Sequence, residues 1–110
     1  MANVPVPFYF KSYARADLVS IRQYTMKQWG QAQWLTYKDT LFNTFQTLAN
    51  SPDIGITLNE ISPDAYRFPL KNHVIYYVRK PDKIIIVGVL SSDMAPEKHL
   101  RREKAISDEV

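Results

Sequence analysis

Between residues 31 and 49 the apolar positions recur on one helical face. Trp34, Leu41, Phe45 and Leu48 form a stripe that Leu35, Phe42 and Ala49 widen, while Lys38, Asp39, Asn43 and Gln46 take the far side. The stretch NSPDIG at 50–55 ends this helix, because a proline disfavours helical backbone at the residue before it. Upstream, Ala14, Leu18, Ile21, Thr25 and Trp29 recur at similar spacing and predict a first helix. Ser12 is placed to cap it, and Asp17 falls in its early turns, where a negative charge suits the helix dipole. Gly30 interrupts the pattern as a C-cap glycine does, so a one-residue joint implies an antiparallel helix hairpin.

Around the helices the period changes to two. Residues 4–13 alternate, with Phe8 and Phe10 on one face and Tyr9 and Lys11 on the other, and Pro5 and Pro7 push any pairing into the later part. Three more strands are expected at 65–70, 73–79 and 83–90, rich in β-branched and aromatic residues, with Pro81-Asp82 turning the chain between the last two. Tyr76 and Tyr77 must then point to opposite faces. A closing helix opens at Pro96 in APEKHLRREK. The predicted fold is α+β, in the order β-α-α-β-β-β(-α), with a helix hairpin packed on a mostly antiparallel four-stranded sheet. Residues 1–100 are expected to form a single domain, with 101–110 as a charged C-terminal tail.

Composition narrows the class without naming a function. The chain has 110 residues and is 45% apolar, enough for one core and too much for disorder. It has no cysteine, so disulfide frameworks and thiolate metal sites are excluded, and a cytoplasmic location is expected. No apolar run approaches a membrane-spanning length of about 20 residues, and MANVPVPFYF has no basic segment ahead of its apolar run, so neither membrane nor signal peptide is expected. The net charge of +3 is uneven. Residues 1–50 hold five Lys/Arg against two Asp/Glu, while the last fifteen residues open with the cations Lys98, Arg101, Arg102 and Lys104.

Several stretches in order resemble ParE-type toxins of type II toxin–antitoxin modules, within the ParE/RelE superfamily. ARADLVSIRQYTMKQWG is similar to the family's first helix, through Ala14, Asp17, Leu18, Ile21, Tyr24, Trp29 and Gly30. LANSPDIG is similar to its turn after the second helix, YRFPLKNHVIYY to its Arg-x-Phe-Pro and His-Val-Ile-Tyr-Tyr strands, and MAPEKHL to its closing segment. The resemblance covers residues 8–100. It implies a toxin that inhibits DNA gyrase by protein contact without a reaction of its own, neutralised by a ParD-like antitoxin that wraps a segment across hairpin and sheet. Nucleic acid would be met only indirectly, through gyrase or the antitoxin, and no cofactor is implied. Two alternatives share the fold: a RelE-like ribosome-dependent endoribonuclease, and a degenerate toxin that only binds antitoxin. Many relatives carry an Arg, a His and a Met-Asp where this chain has Gly88, Ser91 and Met94-Ala95.

Cleavage of RNA needs a base, an acid and converging cations on the phosphate. The residues offer no such set, no phosphate loop and no metal-ligand spacing, so no catalytic or metal-binding residue is assigned. Arg67 reads either as a target contact or as a rim charge paired with Asp64, and His73 and His99 as structural or titrating groups. Lys80 and Lys83 read as a solubilising hairpin tip. Target contacts are expected from Arg67, Lys98, His99, Arg101, Arg102 and Lys104, with Lys98, Arg101 and Arg102 on one helix face. Antitoxin contacts are expected from Arg15, Arg22, Lys38 and Arg79, basic accents suited to an acidic partner.

Overall fold

The computed structural model describes residues 5–108. Strand β1 (Phe8–Phe10) leads into helices α1 (Ser12–Trp29) and α2 (Gln31–Asn50). A 3₁₀ turn at Pro52–Ile54 precedes β2 (Ile56–Thr57), β3 (Ala65–Leu70), β4 (His73–Arg79), β5 (Ile84–Ser91) and α3 (Pro96–Ile106). The strands form one sheet in the order β1-β5-β4-β3-β2. β1 lies parallel to β5, and the other neighbours are antiparallel. The class is α+β, as the pattern predicts, but the sheet has five strands rather than four. The addition is β2, which pairs Ile56 with Arg67 and Thr57 with Tyr66. Two residues carry no periodicity to read.

The sheet divides the protein into two cores. On one face α1 and α2 bury Ala14, Ile21, Trp34, Leu41, Phe45 and Leu48 against Ile75, Tyr77, Ile84, Ile86 and Val89. Phe45 is fully buried, with its ring centroid 5.8 Å from Phe8, 5.3 Å from Phe10 and 5.4 Å from Phe42. Such offset rings add to the burial of apolar area. On the other face Tyr76, Val78, Val87 and Leu90 pack with Ile106 of α3. Tyr76 and Tyr77 thus face opposite ways, and both are buried. A β-bulge sets the phase of β5: Tyr76 pairs with Gly88 but Tyr77 with Ile86, leaving Val87 as the extra residue. Ile84, Ile86 and Val89 therefore share the hairpin face although their spacing is not even.

Polar ties hold the layers in register. Tyr77 donates its hydroxyl to the Pro52 carbonyl at 2.6 Å, and burial raises its pKa well above the usual tyrosine value of 10.0. Tyr37 of α2 meets His73 Nδ1 at 2.5 Å, and burial pushes the Tyr37 hydroxyl up to about 12. Gln46 donates to the Val6 carbonyl at 2.8 Å, fixing the approach to β1.

The sequence pattern fails at particular points. Ser12 is the first helical residue rather than the cap; Lys11 holds the cap position and no side chain caps α1. The reason is that strand pairing runs one residue further than the pattern shows, with the Lys11 N–H bonded to the Ile86 carbonyl at 3.0 Å. Trp29 is 71% exposed, since each four-residue step turns about 40° beyond a full helical turn and the stripe drifts away from the core. Leu35 is likewise exposed, one helical step (about 100°) away from Trp34. Val4, the expected start of the first strand, lies outside the described residues. The boundary drawn at residue 100 falls inside α3, whose Ile106 is fully buried.

Two stability measurements follow. Phe45→Ala is expected to cost about 3–5 kcal/mol, read from the urea midpoint, because a full aromatic ring leaves a cavity in the hairpin core. His73 has its pKa lowered from 6.5 by burial. The unfolded chain then takes up the proton first as pH falls, so stability is full above the ordinary value and is lost as pH drops from there toward the folded value. The urea midpoint should fall between about pH 7.5 and about pH 5.5, and His73→Gln should reduce that fall.

Candidate functional site

Beyond Ile86, β5 has no strand on its outer side, because β1 ends at its partner Phe10. Asp17 of α1 fills the role of a strand there. Its carboxylate accepts the Val89 N–H at 2.9 Å and receives both terminal nitrogens of Arg102, with Nη2 at 3.1 Å from Oδ1. The Arg102 guanidinium also lies 5.1 Å from the Tyr13 ring centroid. The stem of Arg102 crosses Gly88: a Cβ at that position would sit 2.7 Å from Arg102 Cγ. The glycine that departs from the family pattern is the space through which α3 reaches α1. Arg102 therefore does not share an open basic face with Lys98 and Arg101, as helical spacing alone predicts; its side chain is 18% exposed and pinned to Asp17.

The other face of α3 borders an open groove of about 570 Å³. Arg67, Tyr76, His99, Glu60 and Glu103 line it, over apolar Leu58 and Val74. His99 Nε2 lies 3.0 Å from the Ser91 carbonyl, which can only accept, so Nε2 carries the hydrogen and Nδ1 accepts from the Tyr76 hydroxyl at 2.7 Å. Burial raises the Tyr76 pKa, and the Glu103 charge adds to that rise against the opposing pull of Arg67. Arg67 and Tyr76 stand opposite each other in the β3–β4 hairpin, but sequence spacing gives no sign that His99 of α3 meets them. The set is still a poor acid–base site. Both imidazole nitrogens are engaged, and one available guanidinium faces two carboxylates.

The remaining candidates fall on separate surfaces. Lys98, Arg101 and Lys104 are exposed along α3, away from Arg102. Arg15 and Arg22 stand exposed on α1 and Lys38 on α2. The same hairpin exposes Val19, Tyr24, Trp29 and Leu35, each at least half accessible. Arg79 sits at the end of β4 and takes the Asp64 carboxylate at 2.9 Å, so Asp64 is not the partner of Arg67. That pair raises the Arg79 pKa. No group of three or more His, Cys, Asp or Glu among the described residues is arranged to hold a metal ion, and no helix there is long and apolar enough to cross a membrane.

A family model described as the ParE toxin of the type II toxin–antitoxin system parDE matches residues 8–96. The chain is similar to Toxin ParE1 of Caulobacter vibrioides, with 29% identity over 94 residues that cover 86% of this chain and 97% of the relative. Its fold is similar to a solved structure titled chromosomal ParDE TA system from P. aeruginosa, with TM-score 0.65 and 16% identity, covering 79% of this chain and 96% of that one. The matched residues take in the hairpin and the whole sheet and stop at Pro96, the first residue of α3.

The contact between Gly88 and Arg102 gives a direct test. Gly88→Ala should destabilise the fold by about 1–3 kcal/mol, since an added methyl group must displace the arginine stem. In an Arg102→Ala background the same change should cost much less, and a thermodynamic double-mutant cycle reads the coupling.

Proposed function

The chain belongs to the ParE family, the toxins of the type II toxin–antitoxin system parDE, and on that premise we propose that it acts by protein contact, inhibiting DNA gyrase and being neutralised by a ParD-like antitoxin. The family match over residues 8–96 carries this reading. Two surfaces divide the work. The outer side of the hairpin offers exposed Val19, Tyr24, Trp29 and Leu35 among Arg15, Arg22 and Lys38, which suits an apolar, acidic antitoxin segment that folds as it binds. Arg79, already paired with Asp64, is a peripheral contact at most. The outer side of α3 offers Lys98, Arg101 and Lys104 to the target, with Arg67 and His99 in the adjoining groove. Arg102 serves the fold.

The ribonuclease alternative is weaker on electrostatic grounds. A developing phosphorane charge calls for converging cations. Here Arg67 stands against Glu60 and Glu103 in one groove, and Arg102 is committed to Asp17. Such a groove repels phosphate more than it holds it.

Purified gyrase decides between the two. The expected result is loss of supercoiling with accumulation of cleaved, gyrase-linked DNA, while a parallel translation reaction keeps its transcripts intact. Cut transcripts with unaffected supercoiling would overturn the proposal. Changing Lys98, Arg101 and Lys104 together to Gln should weaken gyrase inhibition in part and leave antitoxin affinity unchanged. Deleting α3 is not an equivalent test, because it strips Ile106 from the second core.

A further inference from the structure

The groove beside α3 holds charges that the fold does not use. Arg67, Glu60 and Glu103 all line it, yet the ion pairs among the described residues are Asp17 with Arg102 and Asp64 with Arg79. Among its neutral polar groups Tyr76 and His99 are engaged, bonded to each other and His99 to the Ser91 carbonyl, while Thr57 and Ser92 also line it. The charges left for a partner are one guanidinium and two carboxylates above an apolar floor, a balance of one positive to two negative. One wall, with His99, Leu100 and Glu103, belongs to α3 and lies beyond the residues matched by the family model. Leu100 is 56% exposed at the rim.

The two sides of α3 therefore differ in sign. The outer side presents Lys98, Arg101 and Lys104, whereas the groove side presents Glu103 with Glu60 across from it. A nucleic-acid backbone suits the first and is repelled by the second. The volume of about 570 Å³ fits a few side chains, within the range of pockets that take small ligands. We propose that the groove is a receptor for an arginine- or lysine-bearing loop of the target protein. The cationic head lies between Glu60 and Glu103, an apolar neighbour covers Leu58 and Val74, and Arg67 takes a carbonyl or carboxylate of the same loop. This rests on the reading that the α3 side meets the target, and it assigns protein to the groove and leaves phosphate to the outer side.

The test uses the full chain, labelled with nitrogen-15 and titrated with three probes: acetyl-Leu-Arg-Leu-amide, acetyl-Leu-Glu-Leu-amide and a short oligothymidylate. The arginine peptide should shift the amide signals of Arg67, Tyr76 and His99 saturably, and the other two probes should not. Glu60→Gln with Glu103→Gln should weaken the arginine peptide at least about fivefold, the loss expected when a charge partner is neutralised. Glu60 is exposed and Glu103 half-buried, and neither is in an ion pair among the described residues, so an unchanged spectrum away from the groove confirms that the variant folds. The proposal is overturned if the arginine peptide leaves those signals in place, if the glutamate peptide or the oligonucleotide moves them equally, or if the double variant binds as the parent does. Gyrase binding by the same variant separates the two ideas. If the parent binds gyrase and the variant binds it equally, the groove proposal fails and the gyrase reading stands. If the arginine peptide fills the groove but gyrase is not bound, the gyrase reading fails and the groove chemistry stands.

Discussion

One carboxylate joins the layers of this protein. β5 runs past the end of β1, so the Val89 N–H faces outward without a strand, and an unpaired amide near the interior is costly. Asp17 accepts that hydrogen and then needs a cation, because a poorly solvated carboxylate is unstable alone. Arg102 supplies it across 85 residues of sequence. The pair thereby ties the hairpin layer to the helix on the other side of the sheet. Gly88 is part of the same arrangement, since a side chain there would occupy the path of the arginine. Ion pairs with so little exposure add less net stability than their Coulomb attraction suggests. What the pair does is hold position: it keeps Arg102, and with it α3, across Gly88 and against α1.

With α3 fixed, the sheet acquires two distinct faces. Toward the hairpin, Tyr77 and Phe45 belong to an apolar core, with the Tyr77 hydroxyl bonded to the Pro52 carbonyl. Toward α3, Tyr76 reaches a half-open groove where charge remains unspent. Adjacent residues of one strand thus line a closed core on one side and an open groove on the other, as strand alternation requires. The antitoxin surface proposed for the hairpin and the target surface proposed for α3 lie on opposite sides of the sheet, so occupation of one does not by itself cover the other.

How much of this the sequence discloses depends on the range of the interaction. The phase of α2 is plain, since a long stripe from Trp34 to Leu48 admits one burial pattern. The order of strands and the opposed faces of Tyr76 and Tyr77 follow from period two. Features set by a single local choice are less secure. Ser12 is a good capping residue, but the pairing of Lys11 with Ile86 overrides it. β2 is too short to announce itself. The site is hidden for a different reason: Arg67 and Tyr76 are partners across the β3–β4 hairpin, but only the docking of α3 brings His99 and Glu103 to them. Gly88 stands out as a departure from the family pattern, yet its meaning requires Arg102, which spacing alone assigns to the solvent.

The parallel pairing of β1 with β5 has a bearing on how the protein is made. Phe8 sits opposite Ile84, so the strand that opens the chain has no neighbour until nearly the last strand leaves the ribosome. At about 5–20 residues per second, the hairpin spends several seconds outside the tunnel with its apolar stripe unsupported. Through that interval the nascent chain presents the stripe to any binder that recognises it and to quality-control proteases. Late closure of the sheet makes the order of translation a determinant of how long the apolar stripe stays uncovered.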